Sequence, residues 1–149
     1  MKAFHFRLQQ ALRWRTTQLD LAKTSVAAAA KKLQDIRSEI RICREDLEAG
    51  ARQIQASDGT AGSFFVAWGA FTQRMARRLP ELENSAAQAE KALAVQLNLL
   101  VEANRKMRLL EKLRDGEKWR WQAAFDRELE TFAGESSLFR LQLRNRMGA

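Results

Sequence analysis

Apolar residues recur along this chain in alternating steps of four and three. From the N-terminal side the series reads Leu8, Leu12, Arg15, Leu19, Ala22, Val26, Ala29, Leu33, Ile36, Ile40, Cys43, Leu47, Gly50 and Ile54, broken only at Arg15 and Gly50. A second series reads Phe65, Trp68, Thr72, Met75, Leu79, Leu82, Ala86, Ala89, Leu93, Gln96, Leu100, Ala103, Met107 and Leu110, polar only at Thr72 and Gln96. A heptad held this long leaves a narrow seam that fits another helix and cannot wrap a globular core. The pattern predicts an all-α protein: a long antiparallel two-helix coiled coil, or helical hairpin, forming a single domain over residues 1–149.

Helix one is expected from about residue 4 to 55 and helix two from about 64 to 133. Residues 57–63 (Ser-Asp-Gly-Thr-Ala-Gly-Ser) have no apolar periodicity and form the one good loop, with Ser63 as the N-cap of helix two. At 1.5 Å per residue the helices would be roughly 80 Å and 105 Å long, so the second overhangs the first. So short a connection makes them antiparallel. The loop position then pairs residues whose numbers total 122: Ile54 with Trp68, Cys43 with Leu79, Ile40 with Leu82, Ile36 with Ala86, Leu33 with Ala89 and Leu12 with Leu110. Gly50 falls opposite Thr72. Large faces small through the middle, as dense packing requires. Pro80 lies inside helix two and predicts a kink near residues 76–80. Past Leu110 the apolar positions slip to Leu113, Trp121, Phe125 and Leu129, with Glu117 among them. This stretch is expected to overhang without an intramolecular cover and so to meet a partner, fraying being the bland alternative. The tail, 134–149, is expected to be weakly ordered.

Composition changes the picture mainly through charge. Ala, Glu, Lys, Leu and Arg make up more than half of the chain, as in long helices. The net charge of +8 is unevenly spread: +6 over residues 1–32, −2 over 33–104 and +4 over 105–149. In an antiparallel hairpin the two basic stretches meet at the open end, which sets orientation and association rate toward an acidic surface. Arg15 sits on the seam. It either snorkels, stem packed and head in water, or marks a loosening where this end enters something else.

Little else carries chemistry. Cys43 falls on the seam as a small buried hydrophobe, and a single cysteine fits a reducing compartment. No apolar run approaches the ~20 residues of a membrane span, and no signal peptide is visible. His5, the one histidine, has no acid or nucleophile at a useful spacing. Phosphate-loop, zinc-protease and Cys/His-cluster patterns are absent, so no metal, cofactor or small-molecule ligand is expected and the chain does not read as an enzyme. The aromatics are more telling. Phe64, Phe65, Trp68 and Phe71 crowd the start of helix two, as a cap on the hairpin or as a docking patch, while Trp119 and Trp121 belong to the overhang.

The opening Lys2-Ala3-Phe4-His5-Phe6-Arg7-Leu8-Gln9, with Leu12 and Arg15, resembles the start of the flagellar FliJ family. So do Leu110-Glu111-Lys112-Leu113-Arg114 with Trp119, and the acidic-apolar run Asp126 to Phe132. Between these ends the resemblance lies in length, heptads and the pair Trp68-x-x-Phe71. It implies a non-catalytic stalk and adaptor of the flagellar type III protein export apparatus, cytoplasmic and peripheral at the inner face of the cell membrane. The open end of such a stalk enters the hexameric export ATPase, its middle contacts the cytoplasmic domain of the export-gate membrane protein, and some members escort export chaperones. By position, the ATPase-binding residues would be Phe4, Phe6, Arg7, Leu8, Arg13, Arg15, Trp119, Trp121 and Phe125. Those facing the export gate would be Trp68, Phe71 and Met75. Gly116 and Pro80 depart from the pattern near these two sets. The stalk of a virulence secretion system is an alternative, as is a basic nucleic-acid-binding coiled coil. The latter lacks a basic-region motif, and its helices are already paired, so no nucleic acid is expected.

Overall fold

The protein is described from a computed structural model covering residues 3–56 and 62–148. It is all-α, a helical hairpin of α1 (Gln9–Ala56, 48 residues) and the longer α2 (Gly62–Met147, 86 residues), with no strand among the described residues. No described helix is long and apolar enough to cross a membrane. The predicted loop lies outside the described residues over 57–61. Gly62 and Ser63, placed there by sequence, are already helical.

Contacts group the chain into two compact units, Gln18–Ala103 and a second formed by the stretch up to Thr17 with that from Asn104 on. In the first, the two helices pair along the expected seam. Leu33, Ile40, Leu82, Ala86 and Ala89 form one buried cluster, with Ile36, Cys43, Leu79 and Leu93 packed against it. Leu33 and Ala89 thus share a core, as the register requires. The flanking ion pairs measure that register independently. Arg37–Glu90 (2.6 Å) and Arg44–Glu83 (2.7 Å) total 127 in residue number, and Arg78–Glu39 (2.8 Å) totals 117, which centres the pairing on 122. The hydrogen bond and charge of Glu39 hold the Arg78 guanidinium above its ordinary pKa. Pro80 lies within α2, which continues through it although proline gives no N–H to the preceding turn.

One pairing differs from expectation. The Trp68 ring, expected opposite Ile54, lies over Gly50, where a Cβ would overlap its Cζ3, Cη2 and Cε3 atoms. A large ring fills the gap that a missing side chain leaves.

In the second unit three expectations are corrected. Helix one begins at Gln9, not near Phe4, and residues 3–6 form no regular element. The Gln9 amide donates to the Phe6 carbonyl (3.1 Å) and the first helical bond runs from the Leu12 amide to the Leu8 carbonyl (2.9 Å). Outside the helix, alternate residues can point to one side. Phe6 is buried (3% exposed) and the Phe4 ring reaches Trp121, a gain that outweighs one terminal turn of helix. Second, the apolar slip past Leu110 is covered only in part. Its Glu117, Trp121 and Phe125 are half-buried, but Leu113 and Leu129 are exposed, and Arg114 takes the half-buried place next to Leu113, four residues on from Leu110. The N-terminal segment therefore covers part of the stretch expected to overhang bare. Third, α2 does not stop near residue 133. It runs through Gly134 to Met147. A lone glycine costs a helix about 1 kcal/mol, and the Leu, Arg, Gln and Met that follow are good helix formers.

Candidate functional site

The ATPase-facing set expected from sequence lies in one unit, but its members are not equivalent. Phe4 and Trp121 meet with ring centroids 6.0 Å apart, and Trp121 stacks on Phe125 at 5.5 Å, nearly parallel at 11°. The last pair follows from helical geometry, since residues four apart share a face. Phe6 is core, packed away from any partner, as is Leu12. Arg7, Leu8 and Arg13 are exposed. Trp119 is 73% exposed; two residues from Trp121 on a helix, it faces away from the Phe4–Trp121–Phe125 stack. The structure thus joins Phe4, Trp121 and Phe125 and leaves Trp119 apart.

Arg15 has the geometry of a snorkelling side chain. Its residue is half-buried on the seam while its guanidinium carbon lies 4.6 Å from the centre of the Trp14 ring. Trp14 is a surface feature that the seam spacing does not reveal. It is 54% exposed, between Arg13 and Arg15, and the signal for it was a tryptophan off the heptad inside a basic run.

The residues expected to face the export gate lie together in the other unit. Trp68, Phe71 and Met75 are half-buried, and the Trp68 and Phe71 rings are 5.6 Å apart at 31°. Seating of Trp68 on Gly50 sets this pair against α1. Phe65 and Val66, on the neighbouring turn, are exposed, and Val66 had no place on either seam.

The two units differ in charge. The unit holding Phe4 and Trp121 carries 15 basic and seven acidic residues, while Gln18–Ala103 carries 11 of each. All of the net +8 thus belongs to one unit. In the balanced unit most of the acids form ion pairs across and along the helices, and the open grooves beside the seam are lined by some of those groups, among them Arg37, Arg44, Glu83 and Glu90. Among the described residues no group of His, Cys, Asp or Glu is disposed to hold a metal ion. What these surfaces can do chemically is bind: aromatic faces and a basic field on one unit, an aromatic shelf on a neutral one.

Residues 4–130 match the family described as Flagellar FliJ protein. The chain belongs to the FliJ family. No curated protein and no solved structure matches it. FliJ proteins are non-catalytic components of flagellum biogenesis and protein export, and this chain takes that general role with its family. The match spans every candidate residue from Phe4 to Phe125 and ends before the last turns of α2.

Proposed function

We propose that this FliJ protein is a stalk and adaptor of the flagellar export apparatus, whose basic unit enters the hexameric export ATPase and whose Trp68–Phe71–Met75 shelf contacts the cytoplasmic domain of the export gate. The observation that carries the reading is the coincidence of charge and family. The entire net positive charge lies in the unit that also holds the family's N-terminal signature. Arg7 and Arg13 are exposed there, and in the same unit Phe4 tilts against Trp121, which stacks on Phe125. A basic field steers encounter with an acidic ring lumen, and stacked aromatics supply contact area at little entropic cost. Residues Arg15 and Trp14 extend the same surface, and Trp119 offers a second contact on the opposite face of α2. The protein works at the cytoplasmic face of the membrane, and export chaperones are further partners.

The test is oligomerisation and hydrolysis by the export ATPase with and without this protein. Wild type is expected to promote ring assembly, and the triple variant Arg7→Glu/Arg13→Glu/Arg15→Glu to lose most of that effect while remaining helical. An ATPase indifferent to the wild-type protein, or equally responsive to the variant, removes the claim.

A further inference from the structure

Beyond Phe125 the seam of α2 continues past the segment that covers it. Leu129, Phe132, Ser136, Phe139 and Leu143 keep the spacing of three and four, and Leu129, Phe132, Phe139 and Leu143 are exposed, Phe132 to 70%. These residues share one face of a continuous helix. Most of this stretch lies outside the span matched to the family.

We propose that residues 129–147 of α2 form a parallel, in-register coiled coil with the same residues of a second copy of this chain. Continuity is the first argument. Phe125, stacked on Trp121, stands four residues before Leu129, and from Phe125 on the face has the residue spacing of an interhelical seam rather than the wide apolar sector that a lipid surface needs, with Leu138 and Leu141 exposed off it.

Charge is the second argument, and it selects both occupant and orientation. With Leu129, Ser136 and Leu143 at a and Phe132 and Phe139 at d, Glu135 takes a g position and Arg140 the following e position. In a parallel pair, g of one helix faces the next e of the other, so Glu135 meets Arg140 of the second copy twice by symmetry. The antiparallel alternative is tested by the protein's own geometry. Around a midline of 122, its interhelical ion pairs total 117 and 127, five to either side. An antiparallel pair placing Ser136 opposite Phe139 has a midline of 275, and the same offsets bring Arg140 against Arg140 and Glu135 against Glu135. Like charges face on both flanks there; opposite charges face on both flanks in the parallel arrangement. Ser136 at an a position suits a two-stranded pair, where two hydroxyls meet across the axis and fix the register.

The experiment is sedimentation equilibrium of the full chain, with helicity checked by circular dichroism. Wild type is expected to show reversible dimerisation. Arg140→Glu, which turns both symmetric pairs repulsive, is expected to weaken it on the order of tenfold, and Glu135→Arg/Arg140→Glu to restore it. Orientation is read in a Cys43→Ser background carrying Leu143→Cys. The parallel pair brings the two introduced thiols together and gives a disulfide-linked dimer on mild oxidation, whereas the antiparallel pair sets residue 143 opposite residue 132. A chain that stays monomeric up to ~100 μM, where a pair of useful strength would form, overturns the proposal, whether or not it sediments with anionic vesicles. So does a dimer that Arg140→Glu leaves unchanged or strengthens, or one in which the Leu143→Cys thiols fail to cross-link.

Discussion

Gly50 looks in the sequence like a defect of the seam, and in the structure it is a seat. Its missing Cβ leaves the space that the outer edge of the Trp68 indole occupies, and that ring in turn stacks near Phe71. Gly50→Ala sets two effects against each other. Alanine favours the helix by about 1 kcal/mol over glycine, while the added methyl overlaps the ring and drives it outward. Because the overlapped atoms are the far end of a side chain, the expected outcome is a displaced Trp68 with little change in stability. In a background where Trp14, Trp119 and Trp121 are phenylalanine, Trp68 emission should shift to the red. An unshifted spectrum would show that the ring does not depend on the seat. Arg15 teaches the same lesson from the other side: a polar residue on an apolar seam is tolerated because its stem packs and its head finds the face of Trp14.

At the scale of the helices, the core and the ion pairs contribute unequally. Leu33 is almost fully buried in the cluster that also holds Ala89, so Leu33→Ala should cost about 2–3 kcal/mol, as large-to-small core changes do. Arg44→Ala removes a 2.7 Å ion pair whose partners are both more than half exposed, and should cost less than about 1 kcal/mol. Chemical denaturation of the two variants checks the ranking; the reverse order would mean that the flanking charges, rather than the seam, hold the helices together. The register was legible in sequence because large and small seam residues alternate across it and the loop fixes the offset. The ends were not. Helix one starts late because Phe4 and Phe6 gain more by packing than by completing a turn, and α2 outlasts Gly134 because one weak helix former does not end a helix. Both outcomes are sums of small terms that a pattern of spacings does not weigh.

For the whole molecule the decisive quantity is the division of charge, a net +8 on one unit and none on the other. Long-range attraction between exposed charges is screened within about 8 Å at physiological ionic strength. Association of this protein with the proposed ring partner should therefore slow several-fold as salt rises from low to physiological levels, with dissociation changed little. Stopped-flow measurement across that range checks this. An association rate flat in salt would place recognition in the aromatic contacts alone. The candidate ATPase surface was only partly legible in the sequence: residues Phe4, Trp121 and Phe125 come together as one stack, but Phe6 goes to the core, Trp119 faces elsewhere and Trp14 emerges unannounced.

The amino-acid sequence alone determined the helical class, the antiparallel pairing and its register, because hydrophobic spacing is a local, one-dimensional code that only one alignment of two helices satisfies. It also determined where the charge lies. Tertiary structure decided which aromatics are core and which are surface, where α1 begins, and that the seam of α2 continues bare beyond the reach of its N-terminal cover. Those outcomes depend on which side chain arrives first in a shared space, and that competition between residues distant in sequence leaves no periodic mark.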